Sequence, residues 1–165
     1  MGGVATNISG GEVVSSLKLG VLDAAEWAGP WPDMSMGFHK VAKYYYGPGI
    51  HEPGTLNELM FNKTIWDNMP VLFQKIIKNA SYSNYLEGIS ESFYNNAISL
   101  NILKNKYNIR ISNYPEKVIA KMLDLSKDIV LENTKNNKEY KNIYHSWEKA
   151  LKLFTKFHMV SDHEY

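Results

Sequence analysis

The spacing of apolar positions changes partway along the chain, and the change divides it. From Pro70 onward Leu72, Ile76 and Ala80, then Leu86, Ile89, Phe93, Ala97, Leu100 and Leu103, recur at steps of three and four. That spacing predicts one long amphipathic helix, with a kink near residues 81–84. Pro70 suits its first turn, where a missing N–H costs nothing. Ile109 and Ile111 alternate, which predicts a short strand over 108–112. Pro115 opens a second helix carrying Val118, Met122, Leu125 and Ile129. The polar run 133–138 breaks it. A last helix from about Lys141 sets Trp147, Ala150, Leu151, Phe154 and Phe157 on one face.

Before Pro70 the patterns are shorter. Residues 4–8 read as a β-like run. Residues 12–19 read as a helix on Val13, Val14 and Leu17, with Gly20 as its C-cap. A strand is expected at 21–25, a short helix at 34–41, and an aromatic strand at Lys43, Tyr44, Tyr45 and Tyr46, stopped by Gly47-Pro48-Gly49. A further strand is expected at 55–62 and a turn of helix at 64–69. Strand, helix and strand in close succession predict an α/β fold. The expected organisation is an α/β segment over 1–69, carrying any ligand site, and a long helical segment over 70–165. Long helices need a sheet or partner to cover, and the expected strands are few, so the chain reads as part of a larger fold.

Composition narrows the function. The formal net charge is +1, which gives no electrostatic footprint for nucleic acid or an anionic membrane. There is no cysteine, so thiolate chemistry and Cys-based zinc sites are excluded. No apolar run approaches the roughly 20 residues of a transmembrane helix. The N-terminus has neither the basic nor the long apolar region of a signal peptide.

The chemistry concentrates in residues 19–54, which hold six of the eleven glycines and four of the six prolines. Bends and aromatics there surround two acids, Glu26 and Glu52. Glu26 closes an apolar run before a Gly-Pro corner, and ligands commonly bind at strand ends in α/β sheets. Glu52 precedes Pro53, which favours extended backbone. Framed by Trp27, Trp31, Tyr44–Tyr46 and His51, the two acids could hold a cation, with backbone carbonyls as further ligands. On the residues alone they read sooner as surface loop acids, and the aromatics as simple packing. His39 and His51 lack a tight metal-binding spacing, and no serine-nucleophile or phosphate-loop motif occurs. A metal-dependent hydrolase using Glu26, His39, His51 and Glu52 stays open as an alternative. His145, His158 and His163 are expected to face solvent, and Asp23 to be structural.

Further motifs narrow the choice. Gly10-Gly11-Glu12-Val13 and Leu19-Gly20-Val21-Leu22-Asp23-Ala24-Ala25-Glu26-Trp27 resemble the signature region of TRAP-transporter solute-binding proteins of the DctP type. Gly37-Phe38-His39-Lys40-Val41-Ala42-Lys43-Tyr44-Tyr45-Tyr46 and His51-Glu52-Pro53-Gly54-Thr55 resemble the branch that binds 2-oxo acids and monocarboxylates such as lactate. The resemblance implies the C-terminal part of a two-lobed periplasmic-binding-protein fold, a short mixed sheet with long helices, with the first lobe upstream. It implies a binding protein rather than an enzyme, periplasmic in its full-length form, delivering a small organic acid to TRAP membrane permease subunits. Glu26 and Glu52 would give side-chain oxygens, and Trp27 a backbone carbonyl, to a sodium or calcium ion; Trp27 and Glu52 would also border the substrate. The family's substrate-binding arginine lies upstream of Met1, and Arg110 matches no motif position. The family also implies a homodimer through the C-terminal helix. A non-binding, dimer-forming remnant is the remaining alternative.

Overall fold

The computed structural model describes residues 2–49, 51, 54 and 57–161. They fall into two compact units, Gly2–Tyr114 and the residues from Pro115 onward. The division comes after Tyr114, so the long helix that follows Pro70 belongs with the residues of the candidate site.

The first unit starts with helix α1, Gly10–Leu19. Gly20 ends it at φ 71°, a left-handed conformation that favours glycine. Helix α2, Pro30–Met36, begins with proline in its first turn and ends at Gly37. A 3₁₀ turn, Phe38–Lys40, leads to strand β1, Tyr44–Gly47. Helix α3, Lys63–Asp67, is capped by the Asn62 side chain, which accepts from the Thr64 and Ile65 N–H groups. Helix α4, Val71–Asn105, is 35 residues long, about 52 Å at the usual rise. Strand β2, Arg110–Asn113, returns parallel to β1, pairing Tyr45 with Ile111. Parallel neighbours need a long crossover, and here α3 and α4 supply it.

Among the described residues the sheet has two strands, and their pairing is parallel rather than mixed. The strands expected at 4–8, 21–25 and 57–62 do not form, and residues 55 and 56 of the last lie outside the described residues. The reason at 21–25 is local. The Val21 and Leu22 N–H groups both donate to the Ser16 carbonyl at the end of α1, so they are unavailable to a ladder. At 57–62 the chain is committed to capping α3 through Asn62. The helix expected at 34–41 divides into the end of α2 and the 3₁₀ turn, because Gly37 is left-handed. At the position where a kink is expected, α4 stays helical through residues 81–84, with the Ser81 hydroxyl donating back to the Ile77 carbonyl.

The core of this unit is small. Among the described residues its buried apolar side chains are Val13, Leu103 and Ile109, and Asp33 and Ser99 are buried too. Helix α2 packs on α4. Along α4 many apolar residues, among them Leu72, Phe73, Ile76, Leu86, Ile89, Phe93 and Tyr94, are exposed over a broad arc of the helix. An apolar face of that kind is one that larger proteins bury.

The second unit is a helical pair. Helix α5, Glu116–Asn136, follows Pro115, and helix α6, Lys138–Ser161, follows Asn137. Asn137 leaves helical geometry, and its side chain accepts from the Tyr140 N–H as the cap of α6. The expected break is thus a single residue. The two helices pack on each other, yet Trp147, Leu151, Phe154 and Phe157 stay exposed. No described helix is long and apolar enough to cross a membrane.

Candidate functional site

Glu26 and Trp27 lie on the loop between α1 and α2. Three contacts fix this loop. The Trp27 ring lies over Gly10, where an added Cβ would stand 2.7 Å from the indole, and its centre is 5.9 Å from that of the Phe38 ring. Just past Trp27, the Ala28 and Gly29 N–H groups donate to Asp33 Oδ1, at 3.1 and 3.0 Å. The Trp31 N–H donates to Asn96 Oδ1 of α4 at 2.9 Å, while Asn96 Nδ2 donates to the Ser92 hydroxyl. Asp33 thereby reaches back over its own helix start: its N–H donates to the Gly29 carbonyl, and its carboxylate accepts from the Gly29 N–H.

The second arm consists of β1 and the residues after it. The Tyr45 hydroxyl donates to Asp33 Oδ2 at 2.8 Å, and burial, followed by the Asp33 carboxylate, raises its pKa far above the usual phenol value. Past β1 the chain returns to the loop. His51 Nδ1 is 3.5 Å from Glu26 Oε2, an ion pair when the imidazole is protonated. Both groups are exposed, so this long contact contributes little to stability. It does bring together two residues 25 positions apart. Glu52 follows His51 in the chain and lies outside the described residues.

Glu26 makes no other hydrogen bond or ion pair among the described residues, and its side chain is about half exposed. An exposed carboxylate beside an aromatic loop is a hard oxygen donor, and that donor type suits sodium or calcium. Among the described residues no three His, Asp or Glu side chains converge. His39, a member of the hydrolytic set considered above, is employed elsewhere: its ring lies on Tyr107 at 4.3 Å, beside a cavity of about 20 Å³ also lined by Asp33, Tyr45, Leu103 and Ile109. Arg110 is engaged with Tyr44, donating to its hydroxyl at 3.3 Å. His145 is exposed as expected, His163 is outside the described residues, and Asp23 is exposed in a bend.

His39 carries a pH signature. Burial, and then the charge of Lys40, lower its pKa from 6.5. Among the described residues no partner lies within hydrogen-bonding geometry of its enclosed Nδ1, and the Met34 backbone offsets the lowering only in part. The folded state therefore takes the proton less readily than the unfolded one. Stability is fully present above about pH 6.5 and declines as pH falls toward the depressed pKa. We expect the melting temperature to fall between pH 7.5 and 5.5, and the fall to be smaller in His39→Gln; equal slopes in both proteins would count against this role.

Asp33 and Asn96 were not among the residues singled out by sequence. One signal was present for Asp33: an acid four residues after Gly29, in the first turn of a Gly-Pro-Trp-Pro helix start. Asn96 left none. An open groove of about 360 Å³ over Phe61, Trp66, Ile77 and Lys78 includes none of the expected site residues.

Comparison with known proteins bears on this geometry. The chain is 29% identical over 158 residues to a monocarboxylate 2-oxoacid-binding periplasmic protein of Nostoc sp., covering 96% of this chain and 43% of that one. Its fold is similar to a TRAP periplasmic solute-binding protein from Pseudoalteromonas atlantica, solved with sodium and pyruvate, at TM-score 0.86 and 31% identity, covering 95% of this chain and 48% of that one. A TRAP periplasmic solute-binding protein from Colwellia psychrerythraea, solved with calcium and pyruvate, is similar at TM-score 0.88 and 30% identity, with the same coverage of 95% and 48%. The chain thus spans about half the length of these relatives. The family model for the bacterial extracellular solute-binding proteins of family 7, DctP, matches residues 1–137, and the chain belongs to that family.

Proposed function

We propose that this chain forms one wall of an extracytoplasmic binding site for a small organic acid, either a 2-oxo acid such as pyruvate or the 2-hydroxy acid lactate, held together with a sodium or calcium ion. Glu26, Glu52 and the Trp27 carbonyl would hold the cation, and Trp27 and Glu52 would border the acid. The opposite wall would belong to the half of the relatives' length that the chain does not match. Delivery would be to TRAP membrane permease subunits. The observation that carries the reading is the meeting of Glu26 with His51, the residue before Glu52, across a loop locked at Asp33. The relatives' bound cations and pyruvate agree with it. The family is one of binding proteins, not enzymes, and nothing supports the hydrolase alternative. The exposed face of α6, from Trp147 to Phe157, supports pairing with a second copy.

Calorimetric titration of the chain with pyruvate, lactate and 2-oxobutyrate, with sodium or calcium present, tests the proposal. The expected result is cation-dependent binding no tighter than roughly millimolar, lost in Glu26→Ala and Glu52→Ala. Micromolar binding that survives both substitutions would overturn the site and the half-wall reading together.

A further inference from the structure

We propose that Asp33 is a positioning residue that ties the Glu26–Trp27 loop to the strand leading into His51, so that both arms of the acid-binding wall are held as one piece. This rests on the function proposed above. Asp33 is only 7% exposed, and among the described residues no cation pairs with it. A buried carboxylate without a countercharge persists when donors satisfy it. Here three do. Oδ1 accepts from Ala28 and Gly29, the two residues directly after Trp27. Oδ2 accepts from the Tyr45 hydroxyl, twelve residues on.

The division of labour between the oxygens is the argument. Oδ1 acts locally, accepting from the Ala28 and Gly29 N–H groups just before α2. The second oxygen leaves the helix start and grips β1. Tyr45 is two residues from the end of that strand, and the chain beyond it brings His51 to Glu26. The same carboxylate is therefore fixed to both approaches. Partners one step behind the ligating residues set their orientation and commonly alter metal affinity when removed. Tyr45→Phe cuts only the link between arms and keeps the ring, whereas Asp33→Asn weakens all three hydrogen bonds without changing size.

Two measurements on the purified chain test this. The first needs no metal. In Tyr45→Phe, the Ala28 and Gly29 amide resonances and the His51 ring resonances should shift together. A change confined to β1, with these resonances unmoved, would overturn the proposal.

The second is titration with terbium(III), which takes calcium-like oxygen ligands and luminesces when a nearby tryptophan is excited. Tyr45→Phe and Asp33→Asn should each weaken terbium binding roughly tenfold or more, beyond what their change in melting temperature would suggest. A Glu26-dependent terbium signal that neither variant weakens would overturn the positioning role and leave the site reading standing. No terbium signal in the unmodified chain, or one indifferent to Glu26→Ala, would overturn both.

Discussion

Leu103→Ala is expected to destabilise residues 2–114 by about 2–5 kcal/mol. Leu103 is the most deeply buried apolar side chain described, at 2% exposure, and Ile109 is its close companion in the core. It already borders the cavity of about 20 Å³ beside His39 and Tyr45. Truncation would enlarge that void, and helix and sheet cannot both collapse onto it. Small domains hold only about 5–15 kcal/mol in total. With Val13 and Ile109 as the other buried apolar residues, one truncation removes a large share of the core. Urea denaturation followed by circular dichroism measures the effect. Leu72→Ala, at a site 65% exposed, is the control and should change stability by less than about 0.5 kcal/mol. Equal losses in the two variants would mean that Leu72 is covered in solution.

The second large effect is expected at Gly29. Its φ of 152° is rarely adopted by residues with a side chain, and an added Cβ would lie 3.1 Å from Asn96 Oδ1. Strain of this kind costs about 1–3 kcal/mol. Displacing Asn96 also removes its hydrogen bond from the Trp31 N–H, another 0.5–1.5 kcal/mol or so. Gly29→Ala should thus destabilise by roughly 2–4 kcal/mol and change the tryptophan emission. Gly88→Ala, on α4 with nothing within 4 Å, should stabilise by up to about 1 kcal/mol. If Gly29→Ala behaves like Gly88→Ala, the loop is not locked as described.

These contrasts explain what the amino-acid pattern revealed. α1, α3, α4, α5, α6, β1 and β2 were legible because their signals are local: periodic apolar positions, Pro70 and Pro115 at helix starts, and glycine after α1 and β1. The strand expected at 21–25 was misread because its donors are spent on Ser16, a choice that depends on how α1 ends. That at 4–8 has a strand-like composition but no paired neighbour among the described residues. At the site, the crowding of bends and aromatics pointed to Glu26 and Trp27, and the loop does bring His51 to Glu26. The grip that holds the loop was hidden, because Asp33 acts through Tyr45, and Asn96 is one more polar residue on a helix already rich in them.

The continuity of α4 has a consequence for how tolerant the chain is of insertions. Asn96 indexes the site loop to the screw of that helix, while Leu72 and Ile76 lie some five to seven turns upstream on the same unbroken rod. A single residue added between positions 77 and 92 would leave Asn96 against Trp31 and every site residue untouched. It would also rotate the upstream surface by about 100°. Whatever packs on that surface would then meet Glu26 and Trp27 out of phase, so one extra codon far from the acids would act on them at a distance.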